Sequence, residues 1–172
     1  MTKKEEQLLD RLIDFVHGIG LKTQECTFTH QSLLPGFDFG HQCIIIDREK
    51  VKYPGDLLHE AGHLAVVWAE KREKVNSLVE NPVELTDGEE IAAILWSYAA
   101  LLELNLDPKV VFHEYGYKGD GEWIIEQIEQ GNYIGLPFLE WRGMAYGHER
   151  AMEEETVAFP KMHKWLCGNE PE

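Results

Sequence analysis

In the run His59-Glu60-Ala61-Gly62-His63, two imidazoles stand four residues apart with a carboxylate beside the first. Four residues make about one helical turn, so on a helix both rings share a face and can each direct a nitrogen at one cation. Zinc is the ion that this ligand type and spacing favour. Glu60 is rotated by about 100° from His59, which takes it off the ligand row and toward a water on the ion. Gly62 is out of place inside a helix, where it costs up to ~1 kcal/mol relative to Ala. A close approach by substrate or by another segment would account for it. Histidine and glutamate are both common in this chain, so an accidental match has to be weighed. Two other His-Glu pairs serve as controls: Tyr117 follows His113-Glu114 at the second-ligand place, and Met152 follows His148-Glu149. Neither can make the helical pair. The full motif also lies among Leu57, Leu58, Leu64, Val66 and Val67, where an unpartnered His or Glu is costly to bury.

A catalytic zinc normally has three protein ligands and one open position. A third histidine in the metzincin manner needs Gly at position 66 and His at 69, but the chain has Val66 and Ala69. Downstream, Glu89 and Glu90 open the next long helical stretch. Thr86 and Glu89 have the spacing of a capping box, which gives Glu89 a structural task. Glu90 is followed at i+3 and i+7 by Ala93 and Ser97, small residues that let this helix lie close to the one carrying Gly62. Glu90 is therefore the expected third ligand and Glu89 the alternative. A reading of both as acids favoured by the helix dipole stays open.

The stretch from Ile44, Ile45 and Ile46, through His59-Glu60-Ala61-Gly62-His63, to Glu89-Glu90-Ile91-Ala92-Ala93 resembles the minimal gluzincin core. That resemblance implies a zinc ion held by two histidines and a downstream glutamate, Glu60 as general base, and a strand lining the cleft for a peptide or protein substrate. Zinc would bring the pKa of its water toward neutrality, Glu60 would take the proton, and a polarised carbonyl would be attacked. Such chemistry also needs a donor for the developing charge; His113 is the candidate, together with Tyr115 and Tyr117. One departure is that gluzincins often carry Asp a few residues after the ligand, where this chain has Ala93 or Ile94, so that support for a histidine is missing. The pentapeptide is also known from membrane-anchored, ATP-driven zinc proteases, but no P-loop sequence is present here. The whole chain is similar to small bacterial zincin-like proteins, a likeness that implies no particular substrate. Two alternatives remain, namely a catalytically silent zincin-like metal-binding or regulatory protein and a metal-free helical interaction domain.

The elements that must position these residues read as a mainly helical α+β chain, with a short sheet packed beside the motif helix. A single domain is expected over residues 1–172, with the metal core at about 41–105. Leu8, Leu9, Leu12, Ile13 and Val16 predict an amphipathic helix ending near Gly18 and Gly20. Gln42 to Asp47 reads as a buried strand. Helices are expected from Asp56, as N-cap, to about Lys71; from about Thr86, after the Asn81-Pro82 break, to Leu104; from Asp107-Pro108 to about Tyr115; and from Trp123 to Gln130. Gly116 to Gly121 reads as a loop, and the acidic run Glu153 to Glu155 as the opening of an exposed tail that begins at about residue 150. Trp96 and Tyr98 are expected in the core.

Composition narrows the partners. With 44% hydrophobic residues the chain can build an ordinary core. A formal charge of -15 repels phosphate backbones and anionic lipid, so neither nucleic acid nor membrane is an expected partner. Met1 to Asp10 lacks the pattern of a secretory signal, and Ile91 to Leu102 is too short to span a bilayer. The expectation is a cytoplasmic protein. Cys26, Cys43 and Cys167 lack the spacing of a redox pair and read as buried free thiols, and a metal shared by His41 and Cys43 is disfavoured.

Overall fold

The computed structural model describes residues 1–29, 32, 34–75 and 86–171. Helix α1 (Lys3–Gly18) starts where Thr2 and Glu5 satisfy each other's free amides in a capping box, and it buries Leu9, Leu12, Ile13 and Val16. Three short strands follow: β1 (Thr23–Glu25), β2 (Phe37–Gly40) and β3 (Cys43–Ile46). β3 lies in the middle, parallel to β1 and antiparallel to β2. Phe37, Phe39, Ile44 and Ile46 carry this small sheet into the core. The isoleucine strand falls where the sequence places it. β1 is a run of Thr, Gln and Glu with no apolar alternation, and it is a strand only because β3 offers it an edge.

The motif helix is α2 (Asp56–Val66). It is shorter than the expected helix to Lys71, because Val67 and Trp68 are extended and the chain restarts as α3 (Ala69–Arg72). The break is stabilised from elsewhere: Arg72 donates to the carbonyls of Leu64 and Val67, and the Cys167 amide donates to Ala65. Asp56 is the first helical residue and not the N-cap, which is Gly55. A side chain at Gly55 would collide with the Val110 carbonyl, so that residue lies pressed against the segment that follows the next helix.

That next helix, α4 (Asp87–Glu103), begins at Thr86 with both halves of the capping box formed, as its sequence predicts. The Asn81-Pro82 break lies outside the described residues. Helices α2 and α4 form the principal packing pair. At their crossing a Cβ on Gly62 would stand 3.0 Å from the Ala93 carbonyl oxygen and 3.3 Å from Ala93 Cα and Cβ. Gly62 is thus required by another helix. Ser97 seals the same contact, its hydroxyl donating to the Leu58 carbonyl at 3.2 Å and to Ala93 at 2.8 Å. Trp96 and Tyr98 are core residues.

Asp107 caps the next turn as expected, but the helix is a single 3-10 turn, Pro108–Val110, and does not reach Tyr115. Val111 and Phe112 instead plunge into the core, and His113 is held by Asp56. After a turn at Tyr117–Gly119 come α5 (Gly121–Glu129), α6 (Leu136–Trp141) and α7 (His148–Glu153). Glu153 to Glu155 are exposed, whereas the chain beyond them returns: Phe159 and Cys167 are buried, and the Trp165 carbonyl accepts from the Trp96 indole. The expected exposed tail is therefore partly core, because these apolar residues cover α2 and α4. Among the described residues no helix is long and apolar enough to cross a membrane.

Replacing Gly62 with Val should lower the unfolding free energy by about 1 to 3 kcal/mol, although valine suits a helix better than glycine does. Chemical denaturation of the two proteins measures this. A variant as stable as the parent would show that the crossing has slack.

Candidate metal centre

Because α2 presents i and i+4 on one face, the rings of His59 and His63 converge, their Nε2 atoms 2.9 Å apart. The close crossing of α4 brings Glu90 to them from the other side. Its Oε1 is 3.7 Å from His59 Nε2 and its Oε2 3.5 Å from His63 Nε2. One ligand atom from each of the three lies within 4.8 Å of the others, and this is the one such group among the described residues. These three side chains could hold a metal ion.

The donor set fits a metal ion that takes nitrogen and oxygen ligands. Two nitrogens and a carboxylate oxygen are the ligands of catalytic zinc, and atoms about 2.0 to 2.1 Å from one tetrahedral ion stand about 3.3 Å apart. The observed separations differ from that by a few tenths of an ångström. Burial pushes His59 down to about 4 and holds His63 well below the ordinary histidine value, in the second case with help from His59. Both rings are thus neutral and carry a lone pair for a cation at neutral pH. The Nδ1 of His63 is buried without a hydrogen-bond partner.

Glu89 and Glu90, adjacent in sequence, have different surroundings. The Glu89 side chain is 4% exposed and lies 2.7 Å from the Lys71 ammonium and 3.4 Å from Arg142, while also accepting from the Thr86 amide. Burial alone would raise its pKa, but Lys71 and the Thr86 amide outweigh that and hold it below the ordinary carboxylate value. Glu89 is therefore committed to a structural network. The Glu90 side chain, 44% exposed, has no comparable cation beside it among the described residues, and partial burial raises its pKa.

Glu60 is buried next to the pair, one residue from His59 and off the ligand row. Burial, reinforced by the carboxylates of Asp56, Glu90 and Asp38, pushes it up to about 8. His113 is not in the ligand group. Its Nε2 is 3.0 Å from Asp56 Oδ1, its Nδ1 is buried without a partner, and its ring stacks on Tyr53 at 4.0 Å. Asp56 stands one turn before Glu60 on α2, so His113 borders the group through it. Tyr117 meets the group directly, its hydroxyl 3.0 Å from His59 Nδ1. Tyr115 is exposed and stacks on Tyr53. His41 is exposed on the turn before β3, and neither it nor Cys43 belongs to the ligand group. Cys43 and Cys167 are buried free thiols, while Cys26 is exposed. Asp56 was legible only as a cap; its place one turn from Glu60 on the same helix face was the available signal.

No family model, no curated protein and no solved structure matches this chain.

Two outcomes follow from this geometry. Glu90→Gln should reduce zinc affinity in a chelator competition by well over tenfold while leaving the metal-free melt nearly unchanged. Glu89→Gln should do the reverse, costing on the order of 3 kcal/mol of stability by leaving Arg142 and Lys71 without their anion. A larger affinity loss for the Glu89 variant would exchange the two roles. The second outcome concerns pH. Between pH 6.5 and 8 both rings are neutral in the folded state, and in the unfolded state they shed only their remaining protons, a smaller change of opposite sign. Glu60 contributes the larger one: unfolded, it has lost its proton above 4.5, whereas folded it keeps it up to about 8. The unfolded state then binds fewer protons, so the metal-free protein should lose stability as pH rises from 6.5 to 8. Glu60→Gln should flatten that slope, as denaturation at several pH values will show; an unchanged slope assigns it to another group.

Proposed function

We propose that the protein is a zinc-dependent hydrolase, a small metallopeptidase of the gluzincin kind, acting on peptide or protein substrates. The observation carrying this reading is the convergence of His59, His63 and Glu90 beside the buried carboxyl of Glu60. The three-stranded sheet next to α2 supports the same reading, as the short sheet of a minimal zincin-like core. Free cysteines suit a reducing compartment, and we place the activity in the cytoplasm.

In this reading His59, His63 and Glu90 hold zinc, which supplies Lewis acidity toward a carbonyl and acidifies water. Glu60 takes the proton of the attacking water on its carboxylate and passes it to the leaving amine; a cation on the three ligands would lower its pKa from the raised metal-free value and free that carboxylate at neutral pH. His113 serves as donor toward the substrate oxygen through Nδ1, the ring nitrogen that Asp56 does not engage. That atom is enclosed, so the ring must turn past Tyr53 to use it.

Elemental analysis should find one zinc per chain, lost in His59→Ala and in His63→Ala. A broad peptide library incubated with the zinc-loaded protein should be cleaved, and Glu60→Gln should keep the metal and lose cleavage by about 10²-fold or more. Full zinc content in both histidine variants refutes the site. Bound zinc with no cleavage by the parent would make this a silent metal-binding or regulatory protein.

A further inference from the structure

The hydroxyl of Tyr117 lies on the edge of the His59 ring that faces away from the ligand atom. It is 3.0 Å from Nδ1, while Nε2 is the nitrogen that meets His63 and Glu90. A neutral imidazole carries one ring proton. With that proton on Nε2, His59 offers a cation nothing; with it on Nδ1, the Nε2 lone pair is free. Whatever holds Nδ1 therefore decides whether the ring is a ligand. A tyrosine hydroxyl can donate or accept, and burial, together with the nearby acids Asp56, Glu90 and Glu60, holds this one in its neutral form. Opposite an Nδ1 that bears the ring proton its oxygen accepts, and this is the arrangement that leaves Nε2 free.

The backbone gives independent support. Tyr117 and Lys118 have φ of 51° and 59°, followed by Gly119 at 91°. Two bulky residues in succession in the left-handed region are unfavourable and persist only where the surroundings impose them. This turn is what carries the Tyr117 side chain inward, onto Phe112 at 5.2 Å and edge-on to His59 at 5.4 Å. His63 has no counterpart, since its Nδ1 is without a partner. The acidic support that the sequence lacks at Ala93 or Ile94 is thus supplied to one histidine by a phenol from another segment.

We propose that Tyr117 is a positioning residue, which accepts the Nδ1 proton of His59 and so fixes the ring and the tautomer that leaves Nε2 open to a cation. The proposal rests on the reading of His59 as a metal ligand. It can be tested apart from hydrolysis. Nitrogen NMR of histidine-labelled, metal-free protein at pH 8, with the signal assigned through His59→Asn, should show His59 protonated on Nδ1. In Tyr117→Phe, which keeps the ring packing and removes only the hydroxyl, that tautomer should give way to a mixture. Zinc affinity should then fall about 10- to 100-fold in a chelator competition. Tyr115→Phe, at the exposed neighbour, should change neither. A parent protein with His59 protonated on Nε2 overturns the proposal without any variant, and so does a Tyr117→Phe protein that keeps the parental tautomer or the parental affinity. If the parent binds no zinc, the hydrolase reading fails, while the tautomer comparison still decides what Tyr117 does to His59.

Discussion

The close crossing of α2 and α4 at Gly62 and Ala93 is the contact on which the rest of the arrangement depends. Two helices ordinarily pack with axes 8 to 10 Å apart, a spacing set by the side chains between them. Here the side chain is removed on one helix and reduced to a methyl on the other, and Ser97 ties the two backbones by a hydroxyl. The histidines of α2 and the carboxylate of α4 are on opposite walls of that seam. A wider seam would move Glu90 out of reach of both rings. Glycine's low helix propensity is thus the local cost of a three-ligand cluster drawn from two helices.

At the start of α4 two adjacent glutamates divide the work. Consecutive helical residues point about 100° apart, so Glu89 faces Thr86, Lys71 and Arg142 while Glu90 faces the histidines. Arg142 is itself enclosed by Trp68, Phe138 and Trp141, its guanidinium 3.9 Å from the Trp68 ring centre. This anchors the first turn of α4 from α3 and α6 at once. The first turn of α4 is held by one carboxylate, which leaves the next to face the histidines.

The sequence made legible what depends on neighbours within a few residues. The capping box at Thr86 and Glu89, the helical spacing of His59 and His63, the small residues Ala93 and Ser97, and the β-branched strand at Ile44 to Ile46 are all local patterns, and the structure contains each of them. Features set by distant partners were not legible. β1 is polar and exists by pairing with β3, α2 stops where Arg72 and Cys167 take its carbonyls, and the helix expected after Pro108 yields to the burial of Val111 and Phe112. Tyr117 was visible as a candidate donor. Its contact with the far edge of His59 depends on a left-handed turn that a tyrosine and a lysine do not announce.

The end of α2 has a bearing on how the protein is made. Its last carbonyls are satisfied by Arg72 and by the amide of Cys167, and Arg72 also donates to the Cys167 carbonyl at 2.9 Å. On a chain growing from its amino end, the helix that bears both histidines is synthesised long before its own cap. Until residue 167 has emerged and docked, that helix end is open and free to fray. The end of the histidine-bearing helix is therefore completed only after residue 167 has been made.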